Sequence, residues 1–266
     1  DRISGEGETP QEYCLLKFRG DASMLVAATL RPETVFGQTN LWVDGSGTYA
    51  RARVDGEEWI CSQQMPAKLR LQGHEVEELG TIAGRELIGQ RFAAPGVDRE
   101  LMVLPADFCD AAIGSGIVTS VPSDAPDDWQ GLADLQDSAA LCEQWGLNHK
   151  YIKEIEPLAI IDSGEFGTVP APALCQQMGV RDQHDRTRLE KAKQQLYLHS
   201  FQHGTMLDSV GMGCAGLPVD AAREKVCAAL IASGDAARYY ELTGPARSRW
   251  LTDCTVKIVE DQWFLK

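Results

Sequence analysis

Short β-rich runs separated by turn-forming residues dominate the first half of the chain, and they constrain its fold more than any other feature. Aliphatic, aromatic and β-branched residues favour strands, whereas Gly, Pro, Asn and Asp favour the turns between them. Asp55-Gly56 separates two of these runs and predicts a hairpin, because Gly readily adopts the positive φ of a tight turn. The predicted strands cover residues 24–29, 49–54, 59–62, 101–104 and 117–121. This pattern is typical of a sheet or barrel.

Helical patterns occur later in the chain. Apolar residues recur at three- and four-residue spacing after Ser123-Asp124 until Gly146, which predicts a helix over residues 123–146. Two further helices are predicted over residues 185–199 and 220–234, and residues 254–265 return to β character. The sequence therefore predicts an α+β fold, in which helices are inserted into a β-rich core.

Length, charge and cysteine spacing limit the class of protein. At 266 residues, the chain fits one elaborated domain over 1–266. It starts at Asp1 without Met or a leader, and we expect it to be a fragment of a longer protein. Eight scattered cysteines without a C-x-x-C pair indicate reduced thiols in the cytoplasm, and no apolar run suggests a membrane span. The net charge of −14 predicts that any contact with nucleic acid is local.

Several familiar chemical motifs are absent or incomplete. Neither glycine-rich nucleotide-binding pattern occurs, so we expect no ATP site in this segment. His199 and His203 are four residues apart, but they lack the Glu of H-E-x-x-H, and we predict no metal site. The histidines give no signal of a base for a Ser or Cys nucleophile. The basic residues between Arg181 and Lys193 either follow a phosphate backbone or form a solvated helix face, and the second is commoner.

Two short segments carry more specific chemistry. The first is Thr29-Leu30-Arg31-Pro32-Glu33-Thr34, directly after a predicted strand. Taken alone, it is best interpreted as an ordinary loop capped by Thr and Pro. The second runs from Val121 to Asp128 and crowds three carboxylates at a helix start. Helix capping accounts for Ser123 or Asp124, and the helix dipole accounts for at least one later Asp. One carboxylate then remains without a structural role. Such a group suits an ammonium ion, but the pattern does not choose among Asp124, Asp127 and Asp128.

Both segments resemble signatures of one enzyme family. Residues 27–40 and 114–128 look like the threonine-rich and the acidic signatures of the connective-peptide editing domain in eukaryotic and archaeal-type, cytosolic leucyl-tRNA synthetases. Valyl enzymes share a similar T-R-P-E-T, whereas isoleucyl enzymes differ at both places. Further similarity covers residues 185–193, 197–198, 204–207 and 261–265. Residues 247–252 depart from it, since relatives tend towards Ser and Gly there.

The resemblance implies a β-barrel-like core and a hydrolytic editing reaction. One methylene is worth only about 1–3 kcal/mol of discrimination, so a second site must reject leucine and hydrolyse wrong products. The substrates would be isoleucyl, norvalyl, valyl or methionyl esters of tRNA-Leu. The implied partners are the 3′ acceptor end of tRNA-Leu and the rest of a monomeric, cytoplasmic synthetase. H-I-G-H and K-M-S-K-S are absent, so ATP would serve only the missing synthetic part, and editing itself would need no cofactor.

The resemblance also assigns roles to individual residues. Asp128 would anchor the α-ammonium, and Thr34 would exclude the branched side chain of leucine. Thr29, Leu30 and Arg31 would line the ester and ribose, with Asp128, Thr29 and Arg31 as the catalytic group. Thr119 and Val121 would form the amino-acid wall, and Ser123 and Asp124 would complete the substrate site. A valyl-type editing domain, a silent tRNA-docking module and a protein-interaction insert remain alternatives.

Overall fold

The computed structural model describes residues 8–111 and 114–259. The strands are β1 (Pro10–Arg19), β2 (Met24–Thr29), β3 (Asn40–Val43), β4 (Thr48–Val54), β5 (Glu57–Ser62), β6 (Val76–Ala83), β7 (Arg91–Ala93), β8 (Glu100–Pro105), β9 (Ile117–Ser120), β10 (Ile161–Asp162), β11 (Thr205–Met206) and β12 (Ala236–Leu242). The α-helices are α1 (Met65–Leu71), α2 (Gly84–Leu87), α3 (Pro126–Asp137), α4 (Ala139–Gln144), α5 (His149–Lys153), α6 (Pro170–Met178), α7 (Arg186–His203) and α8 (Val219–Ser233). Two 3-10 helices cover Pro32–Gly37 and Gly164–Phe166.

Ten of the described strands form one mixed sheet. Its order is β6-β4-β5-β2-β1-β7-β8-β3-β9, with β12 paired to β1, and β10 and β11 form a separate pair. The β2–β5 and β3–β8 pairs are parallel, and the other pairs are antiparallel. Within the described residues, β6 and β9 end the path without pairing to each other. The α+β class is confirmed, and among the described residues the core is an open sheet rather than a closed barrel.

The five strands predicted in the first half of the chain are confirmed by the structure. Each of the five predicted runs lies within or overlaps a strand, namely β2, β4, β5, β8 and β9. Asp55 and Gly56 connect β4 to β5 with φ of 49° and 89°, and Val54 pairs with Glu57 across them. The turn therefore has the positive φ at both positions that a two-residue hairpin favours. The β character predicted over residues 254–265 is wrong for residues 254–259, which are mostly exposed and form no strand; residues 260–265 lie outside the described residues.

The helix predicted over residues 123–146 is wrong in its start and its continuity. It begins at Pro126 and is split at Ser138, which takes an extended ψ of 98°. The Ser138 hydroxyl accepts a hydrogen bond from the Leu141 amide at 3.1 Å, so it caps a second helix. Gly146, with φ of 70°, follows that helix as expected. Helices α7 and α8 cover the other two predicted helices.

Helices cover the sheet at two places that matter for the site. Helix α8 contributes Ala222, Val226 and Leu230 to the main core, opposite the inner residues of β1 and β2. Helices α3 to α5 pack over Trp42 of β3, together with Leu104 of β8. In the described part of the chain, no helix is both long and apolar enough to cross a bilayer.

Candidate functional site

A cavity of about 430 Å³ lies where β2 and β9 end and α3 and α7 begin to cover the sheet. Both sequence segments contribute to it. Its lining consists of Tyr13, Ala28, Thr29, Leu30, Arg31, Thr34, Phe108, Val118, Thr119, Val121, Asp124, Ala125, Asp127, Asp128, Arg186, Lys193 and Tyr197. The cavity therefore combines an apolar wall, several hydroxyl groups, three carboxylates and three cations.

The first wall is the turn that follows β2. The Thr29 hydroxyl accepts a hydrogen bond from the Arg31 amide at 3.0 Å. The Thr34 hydroxyl donates to the Arg31 carbonyl at 2.8 Å, and the Thr34 side chain is buried. Pro32 starts the 3-10 helix, because its fixed φ suits the first helical position. The loop predicted from this segment is thus a rigid turn that holds both threonines in place.

A buried ion pair stabilises this turn. Arg31 Nε donates to Glu33 Oε1 at 2.8 Å, and the Glu33 side chain is fully buried. Burial raises the pKa of Glu33, and the guanidinium opposes that rise. The guanidinium also lies over the Tyr197 ring, 5.3 Å from its centroid. Arg31 Nη2 is buried and has no hydrogen-bond partner among the described residues.

The second wall is the connection from β9 to α3. The loop before β9 is held against β2, because Ser115 Oγ accepts from the Ala28 amide at 2.9 Å and donates to the Ile117 carbonyl at 3.0 Å. Gly116 takes a φ of 72°, and a Cβ there would lie 2.9 Å from the Ala111 carbonyl oxygen. The Ser115–Ala28 bond holds the ends of β2 and β9 side by side, which joins the two segments at one cavity.

Asp128 lies in the first turn of α3 and is 5% exposed. Its Oδ2 accepts a hydrogen bond from the Val121 amide at 2.8 Å. Burial raises the pKa of Asp128 to about 7, and the neighbouring Asp127 adds to the rise, while the Val121 amide opposes it. The site thus holds a carboxylate whose charge is poorly solvated, and a cationic ligand would stabilise that charge.

Asp124 and Ser123 do not cap α3, contrary to the capping interpretation. The cap position is Ala125, which offers no side-chain bond. The Ser123 hydroxyl instead donates to Asp124 Oδ2 at 2.6 Å. Burial raises the pKa of Asp124 to about 6, and its Oδ1 has no partner among the described residues. Asp124 therefore supplies the cavity with a second carboxylate.

Helix α7 closes the cavity from the other side. Arg186 Nη1 donates to Asp127 Oδ1 at 2.7 Å, and Lys193 Nζ lies 3.7 Å from Asp127 Oδ2. Burial raises the pKa of Tyr197, and Asp128 adds to this rise. Arg186 and Lys193 belong to the stretch for which a solvated face was the commoner interpretation. They are partly exposed, and both also line the cavity.

All the predicted site residues except Ser123 line this cavity. Ser123 is buried behind it, in contact with Asp124. The sequence reasoning did not select Tyr13 or Phe108, because neither lies near a motif. Only strand pairing and the loop after β8 bring them to the wall.

The described residues contain no group of three or more His, Cys, Asp or Glu side chains arranged to hold a metal ion. The rings of His199 and His203 are 5.1 Å apart on α7. His199 instead packs edge-on against Phe166 and lies 3.8 Å from Glu165. The two histidines therefore pack against each other on α7, and His199 also packs against the 3-10 helix Gly164–Phe166.

Comparison with curated proteins finds leucine-tRNA ligases. The chain is 41% identical over 261 residues to the enzyme of Aeropyrum pernix, a match that covers 97% of the chain and 27% of that protein. It is 39% identical over 269 residues to the enzyme of Methanopyrus kandleri, with 100% of the chain and 28% of the relative covered. For the cytoplasmic leucine-tRNA ligase of Pongo abelii, the identity is 35% over 285 residues, covering 100% of the chain and 24% of the relative. The chain thus spans about a quarter of the length of these relatives. No family model matches it.

Comparison with solved structures agrees. The structure named GlLeuRS-CP1 superposes with a TM-score of 0.76 and 29% identity, covering 86% of this chain and 99% of that one. The P. knowlesi cytosolic leucyl-tRNA synthetase editing domain superposes with a TM-score of 0.79 at 22% identity, covering 88% and 97%. The chain is therefore homologous over its whole length to part of leucine-tRNA ligases, and it has the fold of the CP1 editing domain of leucyl-tRNA synthetase.

Proposed function

We propose that this chain hydrolyses the ester bond of tRNA-Leu charged with a wrong amino acid, such as isoleucine, norvaline, valine or methionine, and spares Leu-tRNA. The observation that carries the proposal is the single cavity that joins Thr29–Thr34 to Asp124–Asp128 within an editing-domain fold. A hydrolytic second sieve needs a pocket that admits small side chains, a charge that holds the amino group and polar atoms near the ester. The cavity of about 430 Å³, with its three carboxylates and its hydroxyl groups, supports this proposal.

Asp128 would anchor the α-ammonium of the aminoacyl group. Its Oδ2 is engaged by the Val121 amide, so the ammonium would bind through Oδ1. A buried carboxylate that is held by a backbone amide cannot turn away from its ligand. An ammonium in contact would favour the charged form of Asp128 and would lower its pKa from about 7. Binding of the correctly placed amino group would thereby stabilise both charges.

Thr34 would provide the discrimination against leucine. Its hydroxyl is used by the Arg31 carbonyl, and its side chain is buried in the rigid turn. Because the turn is held by Pro32 and by the Arg31–Glu33 pair, the side chain cannot withdraw from a larger substrate. A fixed β-branched group is suited to exclude one side-chain shape and to admit others.

Thr29, Leu30 and Arg31 would face the ester and the terminal ribose, with Thr119 and Val121 as the amino-acid wall. Arg31 has an unused N–H group at Nη2, and Thr119 has an unpartnered hydroxyl among the described residues. Such donors can stabilise the negative charge that develops on the ester oxygen when water attacks. The proposed reaction uses water and no cofactor, and ATP would serve only the synthetic part of the enzyme.

The proposed partners are the 3′ acceptor end of tRNA-Leu and the remainder of a monomeric synthetase. The chain carries a net charge of −14, which disfavours extended contact with nucleic acid. Arg186 and Lys193 are partly exposed cations at the cavity. They would offer the terminal nucleotide two cationic groups, although both also pair with Asp127.

The test is a deacylation assay with the 266-residue chain. tRNA-Leu charged with isoleucine, norvaline or leucine is incubated with the protein, and loss of the ester is followed. Rapid loss of the first two esters with leucine spared supports the proposal. Loss of a threonine ester from tRNA-Val instead would indicate a valyl-type domain. Spontaneous rates with every ester, both for the chain and for the chain within its whole synthetase, would show that the hydrolytic proposal is wrong.

A further inference from the structure

A second cavity, of about 500 Å³, lies on the other side of the Thr29–Leu30 turn. Thr29 and Leu30 line both cavities, so this turn is the wall between them. The second cavity is also lined by Cys14 and Cys227. Two cysteines at the back of a candidate active-site turn have no place in the proposed hydrolysis.

The two cysteines belong to different elements that meet beneath the turn. Cys14 lies on β1, where it pairs with Thr29 of β2 and with Arg238 of β12. Cys227 lies on α8, on the same helical face as Arg223 and Glu224, which also line the second cavity. Cys227 packs against the same hydrophobic cluster that contains Cys14, so the two side chains share both this cluster and the wall of the second cavity. A bond between the two sulfur atoms would therefore join α8 to β1, the strand that pairs with Thr29.

The two thiols differ in pKa and in exposure, as expected for a nucleophilic cysteine and the cysteine that resolves its oxidised form. The hydrogen bond from Cys14 lowers the pKa of Cys227 to about 7, and Arg238 and Arg223 contribute to this shift. The same bond and burial raise the pKa of Cys14. Cys227 is partly exposed, whereas Cys14 is buried. Since the thiolate is the nucleophilic form, Cys227 is the thiol that an oxidant reaches and that attacks the oxidant first.

Other buried cysteines lack this combination. Burial raises the pKa of Cys61 and of Cys175 to about 12, and it also raises that of Cys109. These thiols stay protonated at neutral pH and are shielded from solvent. Cys254 is exposed, and it serves as an internal control for reactivity that follows from exposure alone.

We propose that Cys14 and Cys227 form a dithiol site that hydrogen peroxide oxidises to a disulfide beneath Thr29. The Cys227 thiolate attacks one peroxide oxygen, so that an S–O bond forms, the O–O bond breaks and hydroxide leaves as water. The Cys14 thiol then attacks the Cys227 sulfur, which forms the S–S bond and releases the hydroxyl group with the Cys14 proton as a second water. Two thiols lose two electrons in total, and one peroxide becomes two waters.

The disulfide would act on the candidate active site through the turn. Helix α8 packs against the 3-10 helix Pro32–Gly37, which carries Thr34, and Cys14 is the strand neighbour of Thr29. A covalent bond between the thiols requires them to approach closer than a hydrogen bond does, which shifts α8 and β1 together. The oxidised form therefore has slower ester hydrolysis, a consequence that rests on the proposed function.

The site itself is tested without any activity measurement. The reduced 266-residue chain is treated with hydrogen peroxide, remaining thiols are alkylated, and peptides are mapped without reduction. A Cys14–Cys227 linked peptide that dithiothreitol removes is the expected result. Cys14→Ser should leave a sulfenic acid on Cys227 that dimedone traps, Cys227→Ser should leave Cys14 unoxidised, and Cys254→Ser should still form the linkage. Oxidation at Cys254 with Cys227 unmodified would overturn the proposal.

A second measurement separates the site from its effect. The oxidised protein should deacylate mischarged tRNA-Leu slower by about threefold or more, because small displacements at a reactive site lower rates strongly. Dithiothreitol should restore the rate, and oxidant should not alter Cys227→Ser. If the linkage forms and the rate is unchanged, the regulatory effect is wrong. If the reduced protein does not hydrolyse any ester, the proposed function fails while the mapped disulfide stands.

Discussion

Asp128 Oδ2 accepts a 2.8 Å hydrogen bond from the Val121 amide, seven residues earlier in the chain. This bond fastens the first turn of α3 to the end of β9. The turn between them repeats the constraint, since the amides of Asp124 and Ala125 both donate to the Val121 carbonyl. The carboxylate at the cavity therefore moves only if the whole connection moves.

Asp128→Asn is expected to lower deacylation of isoleucyl-tRNA-Leu by at least about 100-fold, because the amide keeps the shape and the Val121 bond but removes the charge that holds the ammonium. The measurement is kcat/KM of ester hydrolysis, together with the thermal midpoint of unfolding. Asp137→Asn is a matched control, since Asp137 lies at the exposed end of the same helix. Unchanged hydrolysis by Asp128→Asn would exclude this residue from the mechanism.

The stability of the protein should fall as pH rises from about 4 to about 8 through the contribution of Asp128. Burial raises its folded pKa to about 7, above the ordinary value of 3.8. The folded state therefore binds this proton more tightly than the unfolded state does, and stability is lost as the proton leaves. A shift of this size corresponds to at most about 4 kcal/mol. Denaturant unfolding at several pH values should show the slope, and Asp128→Asn should flatten it. An equal slope in both proteins would contradict the assignment.

The sequence predicted the strands beside the site better than it predicted the site itself. Residues 24–29 and 117–121 follow local strand preferences, and β2 and β9 occupy those positions. Strand β1 is not predicted, because residues 14–18 are all buried and show no alternation of apolar and polar residues. The choice among Asp124, Asp127 and Asp128 also depends on long-range contacts. Only the structure shows Asp127 paired with α7 and Asp128 with Val121.

Thr34→Ala is expected to open the pocket to leucine, so that Leu-tRNA-Leu is hydrolysed about 10-fold faster or more, the range that a small apolar volume provides. Thr34→Val is the matched control, because it keeps the branched shape and loses only the hydroxyl that donates to the Arg31 carbonyl. Hydrolysis of Leu-tRNA-Leu by each variant, measured beside isoleucyl-tRNA-Leu, gives the comparison. If Thr34→Val also hydrolyses the leucine ester, rigidity of the turn rather than bulk is responsible.

Chelation of metal ions should leave deacylation unchanged, since the proposed reaction uses only water and side chains. The substrate should be a short aminoacylated acceptor hairpin, so that loss of magnesium does not unfold a full tRNA. Hydrolysis is measured with and without EDTA, after dialysis of the protein against the chelator. A rate that falls with EDTA and returns with an added divalent ion would refute the cofactor-free reaction.

Glu33→Gln is expected to destabilise the protein by about 2–4 kcal/mol, because it leaves the guanidinium of Arg31 partly buried without its countercharge. The Glu33 side chain is fully buried, and that of Arg31 is 18% exposed. Glu77→Gln is the matched control: Glu77 pairs with Arg53 on the surface, with side chains 63% and 47% exposed, and should change stability by less than about 1 kcal/mol. Urea unfolding gives both values.

Because the Arg31–Glu33 pair also holds the turn that carries Thr34, Glu33→Gln should weaken discrimination against leucine as well. Equal stability losses in the two variants would mean that burial does not distinguish these pairs.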